Sequence, residues 1–206
     1  MSKNITIQTL QRLPMYLNYL KSLPKNRNAG NISATAIAEA LSLNDVQVRK
    51  DLASVSRGGK PKVGYAIDEL ISDIGKFLGF ANSDGVIIAG AGNLGKALLA
   101  FDGFIDYGLN ILAGFDTDSS IIGTTINNKP IYSIEDITTF CPQKNVHIGI
   151  ITVPEEAAQE VCNLMTDAGI TVILNFAPIH LTTPTDVIVQ NQNIAISLAM
   201  LSRHRV

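Results

Sequence analysis

The residues with chemical potential fall into two clusters. The first is Gly90-Ala91-Gly92-Asn93-Leu94-Gly95, directly after the β-branched run Val86-Ile87-Ile88-Ala89 and just before a helical stretch from Lys96. A glycine turn between a strand and a helix is a cradle for phosphates. Gly90 permits the tight turn, Gly92 lets the backbone approach a pyrophosphate, and Gly95 lets helix and strand pack closely. Unpaired N–H groups and the dipole at the helix start favour the anion. The next strand ends at Phe115-Asp116-Thr117-Asp118. An acid at that tip accepts from a ribose and repels a 2′-phosphate, so Asp116 points to NAD(H) over NADP(H), with Asp118 the second candidate. A purely structural Rossmann-like domain shares this turn, as does a module for CoA or another nucleotide. Thr152-Val153-Pro154 and Asn175-Phe176-Ala177-Pro178 end later strands on the same side of the sheet and are expected to line the crevice. Their prolines also simply stop strands.

The second cluster is cationic. On a helix spanning 45–55, wound at about 100° per residue, Val48, Leu52 and Val55 share one face. Gln47, Lys50 and Ser54 lie broadly opposite, with Arg49 on a flank. An apolar anchor face backed by donors for base edges and phosphates is what a DNA-reading helix requires. An ordinary amphipathic surface helix has the same pattern. The basic turn Arg57-Gly58-Gly59-Lys60-Pro61-Lys62 follows, then Val63-Gly64-Tyr65. Read as a small β-hairpin, it is a wing whose Arg57, Lys60 and Lys62 meet phosphates or a narrow minor groove; read otherwise, it is a solvated loop.

Other chemistry is not encoded. Cys141 and Cys162 form no CxxC pair, and His147, His180 and His204 lack ligand spacing, so no metal site is expected. His147 sits in an apolar run and reads as a core or edge residue. No catalytic constellation stands out. An NAD-dependent oxidoreductase is the competing class, but no His, Lys or Tyr presents itself as a proton donor.

The elements that must position these clusters separate into two regions. Residues 1–80 carry eleven Lys and Arg against six Asp and Glu, whereas the rest carries five against twelve. That asymmetry suits a head that meets a polyanion. The head reads as short helices: one around Leu13, Tyr16, Leu17 and Leu20 ending near Pro24, one from an N-cap at Ser33 through 41, and the 45–55 helix behind Asn44 or Asp45. Pro14 is tolerable in a first turn, or it kinks its helix. Residues 25–31 form a polar loop, and a helix over 67–78 leads out. From residue 84 the pattern alternates, with strands at 86–89, 111–115, 146–153, 171–176 and 187–189 and helices near 96–101, 134–140 and 155–168. This is a mainly parallel sheet covered on both faces. The fold class is α/β: a winged helix-turn-helix over 1–80, a doubly wound Rossmann-type domain over 81–192 and a terminal helix within 193–206. No apolar run approaches the roughly 20 residues of a membrane span, and no signal-peptide pattern opens the chain. A soluble, cytoplasmic protein is expected.

Taken together, these segments resemble the Rex redox-sensing transcriptional repressors. The likeness runs through Arg12-Leu13-Pro14, Gln47-Val48-Arg49-Lys50-Asp51-Leu52, Val63-Gly64-Tyr65, the glycine turn, Thr152-Val153-Pro154 and Asn175-Phe176-Ala177-Pro178. The resemblance implies a homodimer whose C-terminal helix, about 194–203, is exchanged between protomers. It implies binding of palindromic double-stranded operator DNA when NADH is scarce and release when NADH accumulates over NAD+. Three features depart from the family pattern. Ser54, Val55 and Gly58 stand where the family has aromatics, and Pro61 and Lys62 lie near the wing tip. Phe101 replaces a tyrosine beside the nicotinamide, and Asn193 replaces an aspartate. By the resemblance, that aspartate pairs with the arginine matching Arg12 in one redox state and with the tyrosine in the other. A paralogue that binds NAD(H) but responds weakly to redox state is the alternative.

Overall fold

A computed structural model describes residues 5–24, 30–80 and 84–203, so five of the seven residues of the expected 25–31 loop lie outside the described residues, as does His204. The chain divides into two compact units, Met1–Asn82 and Ser83–Val206.

The first unit is helical. Helix α1 (Ile7–Ser22) starts behind Thr6, whose hydroxyl accepts from the Thr9 N–H. Pro14 is therefore mid-helix rather than in the first turn. Having no N–H, Pro14 cannot make the usual bond to the Leu10 carbonyl, and the stripe Leu13, Tyr16, Leu17 and Leu20, all buried, holds the helix in place. Strand β1 (Asn31–Ile32) precedes α2 (Ala34–Ala40), capped by Ser33, and α3 (Asp45–Val55) is capped by Asn44 through the Gln47 N–H at 3.2 Å. Such a cap is worth about 1 kcal/mol. Strand β2 (Tyr65–Ala66) pairs antiparallel with β1, and α4 (Ile67–Phe77) closes the unit.

The expected wing hairpin is smaller than the sequence indicated. Between α3 and β2 only a single bridge forms, Lys60 with Gly64, closed by hydrogen bonds in both directions at 2.9 Å. Pro61 and the positive-φ Lys62 make the turn, with the Val63 N–H donating to Lys60 O. The β-ladder of this region is instead β1 with β2, because Gly64 packs so tightly against Ile32 O that a Cβ would approach to 2.3 Å.

The second unit is a doubly wound sheet. Its strands are β3 (Asp84–Ala89), β4 (Leu109–Asp116), β5 (Thr125–Ile126), β6 (Lys129–Ser133), β7 (Ile148–Ile151), β8 (Val172–Asn175) and β9 (Ile188–Asn191). The spatial order is β5-β6-β4-β3-β7-β8-β9, parallel throughout except for edge strand β5. The order reverses between β3 and β7, which opens a crevice at their carboxyl ends. Helices α5 (Asn93–Ala100), α6 (Ile137–Lys144) and α7 (Glu155–Asp167) cover the faces, and α8 (Ile194–Ser202) ends the described chain. The sheet is buried on both sides: Ile87, Ala89, Phe115 and Ile151 belong to one core, and Val86, Ile88, Ile111 and Ile150 to another. This is why the strands read as continuous apolar runs rather than alternating ones.

Three elements of this unit were not anticipated. The stretch after Phe101 is a 3-10 helix, Asp102–Tyr107, and β5–β6 form a hairpin. The hairpin turns on Asn127 and Asn128, both with positive φ, the backbone that asparagine tolerates at a tight two-residue turn.

Candidate nucleotide crevice and DNA-reading face

At the mouth between β3 and β7, the glycine turn is built by exclusion. Gly90 has a φ of 93°, and a Cβ there would meet the Thr152 carbonyl carbon at 2.8 Å. A Cβ on Gly95 would lie 1.8 Å from Gly90 O, so helix α5 can start this close to β3 only without a side chain. Gly92 is different: a Cβ there meets nothing within 4 Å. Its open side faces free space, and no side chain caps α5. This bare helix start, with exposed Asn93 and Leu94 beside it, fits a dinucleotide pyrophosphate.

Two side chains lock the turn. Thr152 Oγ1 donates to Gly90 O at 2.7 Å and lies 3.0 Å from Ala89 O. Asp116 Oδ2 accepts from the Ala91 N–H at 2.5 Å, and its Oδ1 accepts from Thr117 and Asp118 at 2.8 and 2.9 Å. The acid at the β4 tip is thus already aimed at the glycine turn. Val153 is half-buried against the core and Pro154 precedes α7. Asn175 is wholly buried; its amide donates to Ala177 O, Ile179 O and Asn191 Oδ1, and accepts from the Ala177 N–H. Those bonds make it a scaffold for the 176–179 loop. Phe101 is exposed and packs edge-on against Phe104 at 5.3 Å.

On α3, Val48 and Leu52 are fully buried while Gln47, Arg49 and Lys50 are exposed. Arg49 makes an exposed i,i+4 pair with Asp45 at 3.1 Å, worth only about 0.3–0.5 kcal/mol, so it is free to move to another anion. Cavities flank the helix on both sides. One of about 470 Å³ adjoins α1 and is lined by Thr6, Arg12, Gln47 and Lys50. The other, about 450 Å³, is lined by Arg49, Lys60, Lys62 and Tyr65. The structure thus brings Arg49 together with two of the three wing cations, while Arg57 is exposed nearer the end of α3.

Beneath α3 lies a polar cluster that the sequence did not single out. The buried Asp51 receives Arg12 Nε at 2.7 Å and Nη2 at 3.0 Å, the Tyr16 hydroxyl at 2.8 Å and the Thr9 hydroxyl at 3.0 Å. Burial pushes its carboxyl up, but the hydrogen bonds from Arg12, Tyr16 and Thr9 outweigh this and hold it below the ordinary aspartate value. Burial, then the bond to Asp51, pushes Tyr16 up to about 12. An acid on the inward face beside Val48, Leu52 and Val55 was the available signal. Arg12 and Asp51 both lie in the first unit, on α1 and α3.

Residues 82–179 match the model described as CoA binding domain, and residues 4–53 the model described as putative DNA-binding protein N-terminus. The redox-sensing transcriptional repressor Rex of Bacteroides fragilis is 38% identical over 200 residues, covering 97% of this chain and 90% of its own. That of Treponema denticola is 41% identical over 193 residues, covering 94% and 91%. The chain belongs to the Rex family.

Among solved structures, RSP in complex with beta-NAD+ and operator DNA superposes with a TM-score of 0.88 at 32% identity, covering 97% of this chain and 92% of that one. RSP in complex with beta-NADH gives 0.82 at the same identity. As a Rex-family member the chain is a transcriptional repressor rather than an enzyme, with an N-terminal DNA-binding domain and a Rossmann-like parallel sheet. Within that Rex frame, Asn193 caps α8 by accepting from the Ile196 N–H at 2.9 Å. No group of three or more metal-ligating side chains occurs among the described residues, and no described helix is long and apolar enough to cross a membrane.

Proposed function

We propose that this chain binds a palindromic operator as a homodimer in the cytoplasm when NADH is scarce, and releases it when NADH accumulates. The observation that carries this reading is the glycine turn at the β3–β7 reversal, latched by Thr152 and Asp116, in a chain whose other unit exposes Arg49 and Lys50 on α3. The α5 N–H groups from Asn93 to Gly95 hold the pyrophosphate, with Gly90, Ala91 and Gly92 forming the turn beneath it. Asp116 takes the adenosine ribose, and Val153, Pro154 and Phe101 line the nicotinamide end. Asn175 shapes the crevice wall from within. On DNA, Arg49 and Lys50 reach base edges and phosphates, and Arg57, Lys60 and Lys62 hold the flanking backbone.

Helix α8 supports the dimer. Its Ile194, Ile196, Leu198, Met200 and Leu201 are all exposed, so it is apolar around its whole circumference. Such a helix is a buried one, and a second copy of the chain is the partner that buries α8. NADH must prefer one dimer geometry, because equal affinity for both would shift nothing.

Three observations favour a second reading, a paralogue with a weakened redox response. Phe101 offers no hydroxyl, Asn193 carries no charge and caps its own helix, and Arg12 is engaged by Asp51. Fluorescence anisotropy of labelled operator with the full chain, across NADH/NAD+ ratios at fixed salt, decides between them. Release on raising NADH supports the sensor; DNA binding independent of the ratio selects the paralogue. Robust hydride transfer to common alcohols or hydroxy acids would overturn the reading of the chain as a sensor only.

A further inference from the structure

The hydrogen-bond polarity of one side chain on the reading face is fixed from below. Arg12 is anchored on Asp51 through Nε and Nη2, and its side chain is only 16% exposed against 6% for Asp51. The same guanidinium stands against Gln47, one turn earlier on α3. The amide orientation that satisfies both groups puts Gln47 Oε1 2.9 Å from Arg12 Nη2 and 3.2 Å from Nη1. A guanidinium has five donors and no acceptor. Reversing the amide would set an NH₂ group against a cation and forfeit charge-assisted hydrogen bonds. The backbone at Gln47 is fixed too, since its N–H donates to the Asn44 cap.

We propose that Arg12 makes Gln47 a donor-only reader of DNA, matched to guanine and barred from the bidentate adenine contact. This rests on the assignment of α3 as the reading helix. A glutamine that reads adenine needs both ends of its amide: Oε1 accepts from the N6 amino group and Nε2 donates to N7. Here Oε1 is engaged by both Arg12 Nη2 and Nη1. Only the amino group, with two donors and no acceptor, is left for a base edge. Guanine presents N7 and O6 as adjacent acceptors in the major groove, and the nearby Arg12 charge favours that acceptor-rich edge. Arg12 is then a positioning residue: it sets what Gln47 can recognise without itself needing to touch a base.

The test uses the full chain and a duplex that it selects from a randomised pool. Within that duplex, each guanine is replaced in turn by 7-deazaguanine, which removes N7, and each adenine by nebularine, which removes the N6 amino group. Wild type and Gln47→Ala are titrated against every duplex. We expect a guanine whose N7 removal weakens wild type roughly tenfold but leaves Gln47→Ala unaffected, and no adenine with that behaviour. Gln47→Glu, which keeps the acceptor toward Arg12 and loses both donors, should bind no better than Gln47→Ala. An adenine whose N6 amino group couples to Gln47 would overturn the proposal. So would Gln47→Ala binding as tightly as wild type. In that case Arg49→Ala/Lys50→Ala separates the two failures: if the double variant loses DNA, α3 still reads and only the role of Gln47 falls; if it too binds fully, the reading-helix assignment falls as well.

Discussion

The Thr152 hydroxyl donates to the carbonyl of Gly90 across 2.7 Å, tying the end of β7 to the glycine turn after β3. The two sides of the crevice are therefore one hydrogen-bonded piece before any nucleotide arrives. Thr152→Val keeps the shape and removes the donor. The expected outcome is nucleotide affinity lowered about fivefold, the equivalent of the ~1 kcal/mol of one such bond, with DNA binding in the absence of nucleotide unchanged. Calorimetric titration with NADH and anisotropy on operator DNA read the two effects separately.

The glycines of the turn should divide by role. Gly95→Ala forces a Cβ to within 1.8 Å of Gly90 O, so the backbone must shift, at a cost of about 1–3 kcal/mol or more. Loss of nucleotide binding together with a lower melting temperature is expected. Gly92→Ala meets nothing within 4 Å and should melt as wild type does while binding nucleotide less well. Equal melting temperatures for both variants would contradict this division.

Asp116 should control the choice of cofactor. Asp116→Asn can still accept from the Ala91 N–H but no longer repels a 2′-phosphate. The ratio of NADPH to NADH affinity, measured by displacement, should rise at least tenfold, mostly through gain of NADPH. A ratio that does not move would remove Asp116 from the ribose site.

The Asp51 cluster predicts two pH limits for the N-terminal unit. The carboxyl is held low in the folded unit by donors that outweigh its burial. Its stabilisation is present above the ordinary aspartate value of about 4 and is lost as pH falls through the lowered folded value. Tyr16 works in the opposite sense. Its phenol is pushed up to about 12, so its contribution is complete below about pH 10 and disappears as pH rises toward 12. Thermal melts of the full chain against pH should show Tyr16→Phe removing the alkaline limb and weakening the acid one, and Asp51→Asn removing the acid limb while reducing the alkaline one, which burial of Tyr16 sustains. Arg12→Met, which strands the buried carboxylate, should cost about 3 kcal/mol at neutral pH.

On DNA, the double variant Arg49→Ala/Lys50→Ala should lose operator binding while keeping NADH affinity. The slope of log affinity against log salt should become shallower by about one for each phosphate contact removed. Wild-type affinity for DNA in the double variant would return α3 to the status of a surface helix.

Legibility of the fold followed the strength of local signals. Helix α3 was readable to its last residue, because Asn44 caps it and the Val48–Leu52 spacing marks its dry side. The glycine turn was equally plain, although α5 begins at Asn93, earlier than expected, since Gly92 is itself the cap position. Hairpin β5–β6 was missed: its Asn127-Asn128 turn carries no glycine, and Pro130 reads as a strand breaker until it is seen facing only the edge strand. The wing was overread, because basic residues and glycines announce a turn but not the length of the ladder behind it. Asn175 and Asp51 were hardest to assign. Every donor to the Asp51 carboxylate comes from α1, far away in the chain, and Asn175 reaches across to Asn191 besides bonding its own loop; such distant partners are set by packing, not by neighbours in the chain.

Both cysteines lie sealed in the core beside the sheet, and burial alone pushes Cys141 up to about 11. Neither is poised as a thiolate for an oxidant to attack. A chain built this way registers the redox state as the occupancy of a site rather than as a covalent mark. What it reports is the present balance of two dissolved forms of one molecule, and no repair step stands between one reading and the next. Its two thiols carry no memory of past oxidation.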